Sequence, residues 1–580
     1  MRPDLFADEA EQRWWRHTLS RFLSSVDVVA IATDTMRALR EKLLETNELV
    51  SNASTRSVSV SWESSRGVTR SLLAREGVDI EKGVDAQMLS HSEALYENVV
   101  ATSSDSGAKA LAVLWGDILA TIAFYDAHAD ILHDKVEQPV WGHVSNAIEC
   151  IAGAATYAPG VDGMPSVDEL LDVLRRLWAS RFPEVKDKGE DSSLSWSNWD
   201  VRVYAGDAYV SLAGRFGADH REIVDMFDAV LADPVPQVRL QAVQNLQVLS
   251  HVAPEKMWAL AERIAQNESH IDVLGHLLHD VIPRFIWRDV ERCKMIIEIV
   301  RARSETIHRD DKSGRDTVAE QLGSLTAQLW CWQNEAMALE WLKAWGSDPV
   351  AHHEFCTAFL SMLRGAFFAR YMDGEKRDTG LSDRSQQAAM IILDACLATA
   401  EGSYTAVTSG TVDDAERNAA IATYNAAETV IGHLMSQLYF GSGAYADNRE
   451  GLVGLISPKE MHRFLVNYRP MLSLLAASHE PSTHHHLVQL YEFLIPGDPV
   501  GVFDSLHALL TGVAKRAGYH HESLAASVIV RMITRYIADY RSIFEDDARR
   551  IALIEILRLF SDVGWPEALK LLYDLPDLLR

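Results

Sequence analysis

Between residues 220 and 283 the chain repeats one local design: an amphipathic helix, a proline-bearing turn and a second amphipathic helix. Residues 220–231 place apolar side chains at helical spacing, and Asp233-Pro-Val-Pro-Gln-Val238-Arg239 follows as a tight turn. Residues 240–252 read as the second helix, with apolar residues at 240, 243, 246 and 249. After Pro254 the segments 255–266 and 271–282 repeat the pair before Pro283. One helix pair cannot bury its own apolar face, so pairs of this kind stack into a solenoid.

The succession of proline turn, Asp before Val-Arg and apolar second helix resembles a HEAT repeat. The resemblance implies an all-α, HEAT/armadillo-like α-solenoid of stacked helix pairs that recognises a protein partner. Less regular pairs follow at 289–303 with 317–332 and at 334–345 with 352–371, and Asp348-Pro349 forms a second acidic-proline turn. Loops rich in Gly, Asp and Ser are expected at 373–383, 402–412 and 441–451, with one long helix over 413–440. Helices near 458–478, 482–494, 499–517, 520–541, 545–561 and 565–573 complete the series. The domain reading is therefore HEAT-like repeats over 201–400 and C-terminal repeats with a terminal cap over 401–580.

Ahead of the repeats, 1–50 reads as a helical segment, with Leu39, Leu43 and Leu44 set among Arg37, Arg40, Glu41 and Lys42. Residues 51–88 read as an irregular connection, and the alternation of Val58, Val60 and Trp62 allows a short strand at 57–62. A helical domain is expected over 89–182. Within it Ser166 and Glu169 have the spacing of a capping box that opens a helix over 167–180. The polar stretch 183–200 marks a boundary.

Composition narrows the function. The 580 residues include 55 Lys and Arg against 82 Asp and Glu, a formal charge of −27, which on average repels phosphate backbones. The five cysteines are widely spaced and form no C-x-x-C pair, so neither a zinc knuckle nor a disulfide framework is indicated, and a reducing compartment fits best. The N-terminus has no basic and apolar secretory signal. The longest apolar stretch, roughly 111–125, contains Asp117 and reads as too short to cross a bilayer. A cytoplasmic protein without a membrane segment is expected.

No P-loop, H-E-x-x-H pair or G-x-S-x-G elbow occurs, so a non-catalytic chain without a cofactor is the expectation. The best metal-like constellation is Asp126, Asp130, His133 and Asp134, which share a face if the segment is helical. It carries the alternative reading, a metal-dependent hydrolase acting on nucleotides or nucleic acid. The competing reading is a solvated acidic face opposite Ile122, Tyr125 and Leu132. Adjacent histidines in 484–486 and 520–521 diverge by about 100° on a helix, which favours packing over a shared zinc ion. Arg531, Arg535 and Arg541, with Arg549 and Arg550 beyond, form the most basic surface and the basis of a nucleic-acid-sensor reading, with Glu545, Asp546 and Asp547 able to neutralise it. Trp14 and Trp15 are candidate partner anchors, whereas Trp341 and Trp345, an i, i+4 pair, fill space between helices. Trp565, in Gly564-Trp-Pro566, is expected to pack on the preceding pair beneath a polar cap of Glu555, Arg558, Lys570 and Asp574.

The run Pro481-Ser-Thr-His-His-His, Glu492-Phe-Leu-Ile-Pro496, Asp498-Pro-Val-Gly-Val-Phe503, Gly518-Tyr519-His-His-Glu522, Asp539-Tyr-Arg541 and Gly564-Trp-Pro566 resembles the helical C-terminal regions of large bacterial NTPase-type proteins of anti-phage defence systems. The resemblance covers under a fifth of the chain. It implies a sensor, scaffold or partner-binding arm whose partner is an NTPase, nuclease or other defence-system subunit. This chain departs from that pattern in lacking a recognisable NTPase or nuclease domain, so it reads as a stand-alone subunit or as the helical part of a larger polypeptide.

Overall fold

The structure, a computed structural model, describes residues 62–102, 107–161, 163–185, 200–304, 317–372, 374–409, 413–446 and 455–578. Every regular element among them is helical. The longer helices are α1 (Trp62–Arg75), α2 (Gly83–Ala101), α3 (Ala108–His128), α4 (Glu137–Gly153), α5 (Val167–Trp178), α6 (Val201–Phe216), α7 (Arg221–Leu231), α8 (Pro236–Gln244), α9 (Pro254–Asn267), α10 (Ile271–His276) and α11 (Val290–Ser304). They continue as α12 (Thr317–Ala327), α13 (Met337–Ser347), α14 (Pro349–Ala366), α15 (Thr379–Ser409), α16 (Asp414–Ser442), α17 (Pro458–Leu475), α18 (Pro481–Leu494), α19 (Pro499–Thr511), α20 (Ser523–Asp539), α21 (Asp547–Asp562) and α22 (Pro566–Leu578).

The described residues divide into two compact units, those of 62–93 with 121–140 and those of 94–120 with 141–578. In the first, Leu73, Val78, Met88, Leu89, Val136 and Val140 form a core flanked by Phe124, Tyr125 and Leu132. Arg70 grips Glu93 through two bonds of 2.7 and 2.6 Å and also donates to the Ile80 carbonyl. This corrects the reading of 51–88 as an irregular connection: from Trp62 onward it carries α1 and the start of α2. The proposed strand lies outside the described residues except for Trp62, which begins a helix.

The second unit is a HEAT/armadillo-like α-solenoid. Helix α6 packs on α8, α8 on α10, α10 on α12, α12 on α14, α14 on α16, α16 on α18, α18 on α20 and α20 on α22. This unbroken row of even-numbered helices is the repeat signature, each helix touching its row neighbours. The odd-numbered helices lie on the other side, with contacts α9–α11, α13–α15–α17 and α19–α21. The stacking legible over two repeats thus extends through residue 578.

Helix starts are written by two residues at a time. Asp348, Ser457 and Asp498 each cap a helix whose next residue is proline, and their side chains accept from Ala351, Glu460 and Gly501 amides. A cap oxygen satisfies an orphan N–H, and proline at the first helical position has no N–H to satisfy. The Ser166–Glu169 capping box forms in both directions. The helix expected over 240–252 differs: α8 ends at Gln244 and a 3₁₀ turn, Leu246–Ser250, completes the segment. Pro283 does not end α10, because the helix widens through a π-turn at Leu277–Val281 and resumes as Ile282–Phe285. A second π-turn, Gln328–Trp332, extends α12, and there Arg384 Nε donates to the Cys331 carbonyl at 2.7 Å. The segment 402–409, expected as loop, belongs to α15, whose 31 residues span about 46 Å.

Buried ion pairs tie successive repeats at the turns that lead from odd to even helices. Arg202 of α6 meets Asp233 (Nε–Oδ2 2.8 Å) while donating to the carbonyls of Ser180 and Pro183. Arg239 of α8 forms a fork on Glu268, both bonds 2.8 Å, and also donates to the carbonyls of Asp233 and Pro234. Arg303 at the end of α11 donates to the Ala265 and Glu268 carbonyls. Guanidinium groups therefore close helix C-termini and neutralise turn carboxylates along this edge.

The α12–α14 crossing depends on a missing side chain. A Cβ on Gly323 would sit 2.3 Å from the Phe355 carbonyl oxygen and 2.8 Å from Ala358 Cβ, so backbone must move. Gly323→Ala is expected to destabilise by about 1–3 kcal/mol, as overpacking does in a dense interior. A lowered urea midpoint with native-like helicity is the expected measurement; an unchanged midpoint counts against the close crossing.

Candidate partner-binding surface

The two edges of the array differ in chemistry. The odd-to-even edge carries the buried pairs above and, further on, Glu428, only 4% exposed. Glu428 accepts from Ser478 Oγ at 2.7 Å and from the His479 amide at 3.0 Å; burial raises its carboxyl pKa and these bonds oppose the rise. His479 Nε2 lies 2.8 Å from Glu401 Oε2 and its ring stacks on Tyr404. These contacts fasten the turn before α18 to the long α15–α16 hairpin. The edge where even helices turn into odd ones exposes aromatic side chains, Trp287 (59%) and Tyr445 (49%), with Ile456 (73%), whereas the large apolar side chains exposed on the other edge are the valines Val185 and Val350.

The metal-like cluster is not assembled on one helical face. Helix α3 ends at His128, so Asp130, His133 and Asp134 lie beyond it. His133 caps the 3₁₀ turn Asp134–Val136, its Nδ1 accepting from the Lys135 amide, while its own amide donates to Asp85. Among the described residues no group of three or more His, Cys, Asp or Glu side chains is placed to hold a metal ion. Helix α3 itself is longer than the apolar stretch read from sequence: over 21 residues, with mean hydropathy 1.5 in its best window, it meets the length and composition of a bilayer span. One side of it is core, with Leu111, Leu114, Trp115 and Ile118 buried.

The histidine triplet splits as helical geometry requires. His484 is fully buried, and burial lowers its pKa to about 4, so it is neutral. His485 faces the Tyr519 hydroxyl and His486 stacks on Tyr439. His520 contributes its carbonyl, which accepts from Trp565 Nε1 at 3.0 Å.

The C-terminal arginines are largely neutralised. Arg531 forms a fork on Glu492 (2.5 and 2.6 Å), and Arg535 donates to the Glu492 carbonyl and approaches Asp539. Arg549 pairs with Asp504 at 2.9 Å and Arg550 with Asp547. Arg541 is exposed at the start of a short 3₁₀ turn. Little free positive charge is left there for a phosphate.

Trp14 and Trp15 lie outside the described residues. Trp341 and Trp345 are core residues, 7% and 4% exposed, Trp341 under the Arg301 guanidinium and Trp345 against Phe355. Trp565 is half-buried, its indole tied to the His520 carbonyl. Trp565→Phe, which keeps an aromatic ring and removes that bond, is expected to cost about 1 kcal/mol, and Trp565→Ala more, since packing is lost as well. Equal denaturation midpoints for wild type and both variants would make Trp565 a surface residue without a capping role.

Sequence reading missed the inter-repeat pairs and Trp287. The pairs had a signal, since Asp233 and Arg239 bracket the proline turn. Trp287 had a fainter one: it stands between Arg284 and Arg288 at the end of a helix.

No family model matches the chain, and no curated protein matches its sequence. Among solved structures, the crystal structure of Kap121p bound to RanGTP is similar at 12% identity and a TM-score of 0.33, over 96% of this chain and 57% of that one. The chain thus spans little more than half the length of that structure.

Proposed function

We propose that the chain is a helical-repeat scaffold or sensor that binds a protein partner along its even-to-odd edge. The observation that supports this reading most is the contrast between the edges: one is locked by buried ion pairs, the other presents Trp287, Tyr445 and Ile456 to solvent. Aromatic side chains left exposed on a rigid array are the usual anchors of partner recognition. The partner class follows from the resemblance of residues 481–566 to helical regions of anti-phage defence proteins, namely an NTPase, nuclease or other subunit of such an assembly in the cytoplasm.

Co-purification of the full chain with its cellular partners, followed by cross-linking mass spectrometry, tests the proposal. A partner of fixed stoichiometry with cross-links on the even-to-odd edge is expected. A chain that purifies alone, carries stoichiometric metal and hydrolyses nucleotides in a chelator-sensitive way would overturn it in favour of a metal-dependent hydrolase.

A further inference from the structure

Trp287 sits where α10 turns into α11. Among the tryptophans whose side chains are described it alone is exposed, at 59%, and no described aromatic ring or guanidinium stacks on it. It is flanked in the same turn by Arg284 and Arg288, both exposed. Arg284 Nε donates to the Asp280 carbonyl at 2.8 Å, which ties the exposed side chain to its own helix.

The acids nearest in sequence are engaged elsewhere. Asp280 Oδ2 lies 2.7 Å from His276 Nδ1, and its other oxygen 3.8 Å from His279 Nε2. Asp289 faces Arg292 at 3.5 Å, and Arg292 also binds Glu255. Neither Arg284 nor Arg288 has a carboxylate within ion-pair distance among the described residues. Two unneutralised guanidinia beside a bare indole, in a chain of net charge −27, form a local inversion of the surface charge.

We infer that Arg284, Trp287 and Arg288 are a docking patch for an acidic linear segment of a protein partner, one that sets an aromatic or leucine side chain next to carboxylates. The inference rests on the partner-binding reading above and specifies the chemistry of the bound segment. Arginine forks match carboxylates in a bidentate manner, and the indole offers an apolar face for the neighbouring side chain. Two cations suit a peptide with a few carboxylates. A nucleic acid draws its affinity from many phosphate contacts, and the surrounding acidic surface opposes it.

The test uses the intact chain and a library of peptides of about 12 residues varying in Asp, Glu, Phe and Leu content, each with a counterpart carrying Lys in place of the acids. Acidic peptides with Phe or Leu are expected to be enriched over their Lys counterparts. Fluorescence anisotropy with an enriched peptide is expected to show at least tenfold weaker binding to Trp287→Ala and to the Arg284→Glu/Arg288→Glu double variant. Arg531→Glu, at an exposed arginine already paired with Glu492, is expected to bind as wild type does. All the substituted side chains are exposed, so the variants are expected to fold, and circular dichroism checks it. No enrichment, equal binding by the variants, or tighter binding of an oligothymidylate of about 20 nucleotides through the same three residues would overturn the inference. A co-purified partner that survives Trp287→Ala removes this patch and leaves the scaffold reading standing, whereas the absence of any partner removes the scaffold reading itself.

Discussion

Glu268→Ala is expected to destabilise the array by about 3–5 kcal/mol, because it strips the partner from a buried guanidinium. The Glu268 side chain is 5% exposed and that of Arg239 13%. The carboxylate accepts two bonds from Arg239 and one from the His270 amide, each 2.8 Å. After truncation Arg239 keeps only the Asp233 and Pro234 carbonyls, and a charge removed from water without a counter-ion is costly. The double change Glu268→Leu with Arg239→Met is expected to recover much of the loss, since apolar groups of similar volume need no compensation. Burial tends to raise the Glu268 pKa, but the Arg239 bonds outweigh it and the folded value lies below the ordinary one. A lowered folded pKa gives stability that is present above the unfolded pKa and is lost as pH falls through the folded value. The gap between wild type and Glu268→Ala should therefore be full at pH 7 and narrow in acid. Arrays of this length unfold in steps, so the first transition midpoint in urea is the quantity to compare. An unshifted midpoint at pH 7 would mean that the pair is not buried as described.

What was legible in the sequence was what local chemistry decides. The Ser166–Glu169 box, the Asp348-Pro349 and Asp498-Pro499 starts and the long helix ending near Phe440 all appear close to where spacing places them. These signals act within one turn of helix, so distant residues rarely override them. Errors arose where tertiary contacts decide. Residues 62–75 are rich in Ser and weak in helical period, yet they fold as α1, whose Leu73 joins a core completed by Val136 and Val140. The π-turn ahead of Pro283 lets α10 pass a residue that normally stops a helix. For the surface, charge type was visible and pairing was not. Arg531 and Arg535 looked like free charge until Glu492, 39 and 43 residues away, was brought against them. Arg284 and Arg288 stand beside Asp280 and Asp289 in sequence, yet those acids face histidines and Arg292. The row of even helices, which needs every repeat in place, was foreseeable only where the motif was regular.

Glu149→Gln is expected to stabilise the protein at pH 8 and to have little effect near pH 5. Glu149 of α4 and Asp207 of α6 hydrogen-bond each other, and both are half-buried. Burial, then repulsion from Asp207, pushes the Glu149 pKa up to about 7; burial likewise raises Asp207 to about 6, a rise that the bond from Glu149 opposes. The shared bond favours a protonated Glu149 and an ionised Asp207, so Glu149 is the donor and Asp207 the acceptor. Two such carboxyls in one site cannot both ionise cheaply. Because the folded pKa values are raised, the folded state holds its protons more tightly than the unfolded chain. The contribution of this pair to stability is then greatest below about pH 4 and declines as pH rises to about 7, beyond which the loss is complete. A carboxyl whose folded pKa stands one pH unit above its unfolded value costs about 1.4 kcal/mol once both states are ionised, so relief of about 1–3 kcal/mol at pH 8 is the expected scale. A glutamine amide at position 149 supplies the same donor to Asp207 without a second ionisable group. Thermal or urea unfolding of wild type and Glu149→Gln at pH 5 and pH 8 gives the answer. A variant less stable than wild type at pH 8 would show that the second carboxylate is balanced by a cation, and that the two helices do not meet across a shared proton.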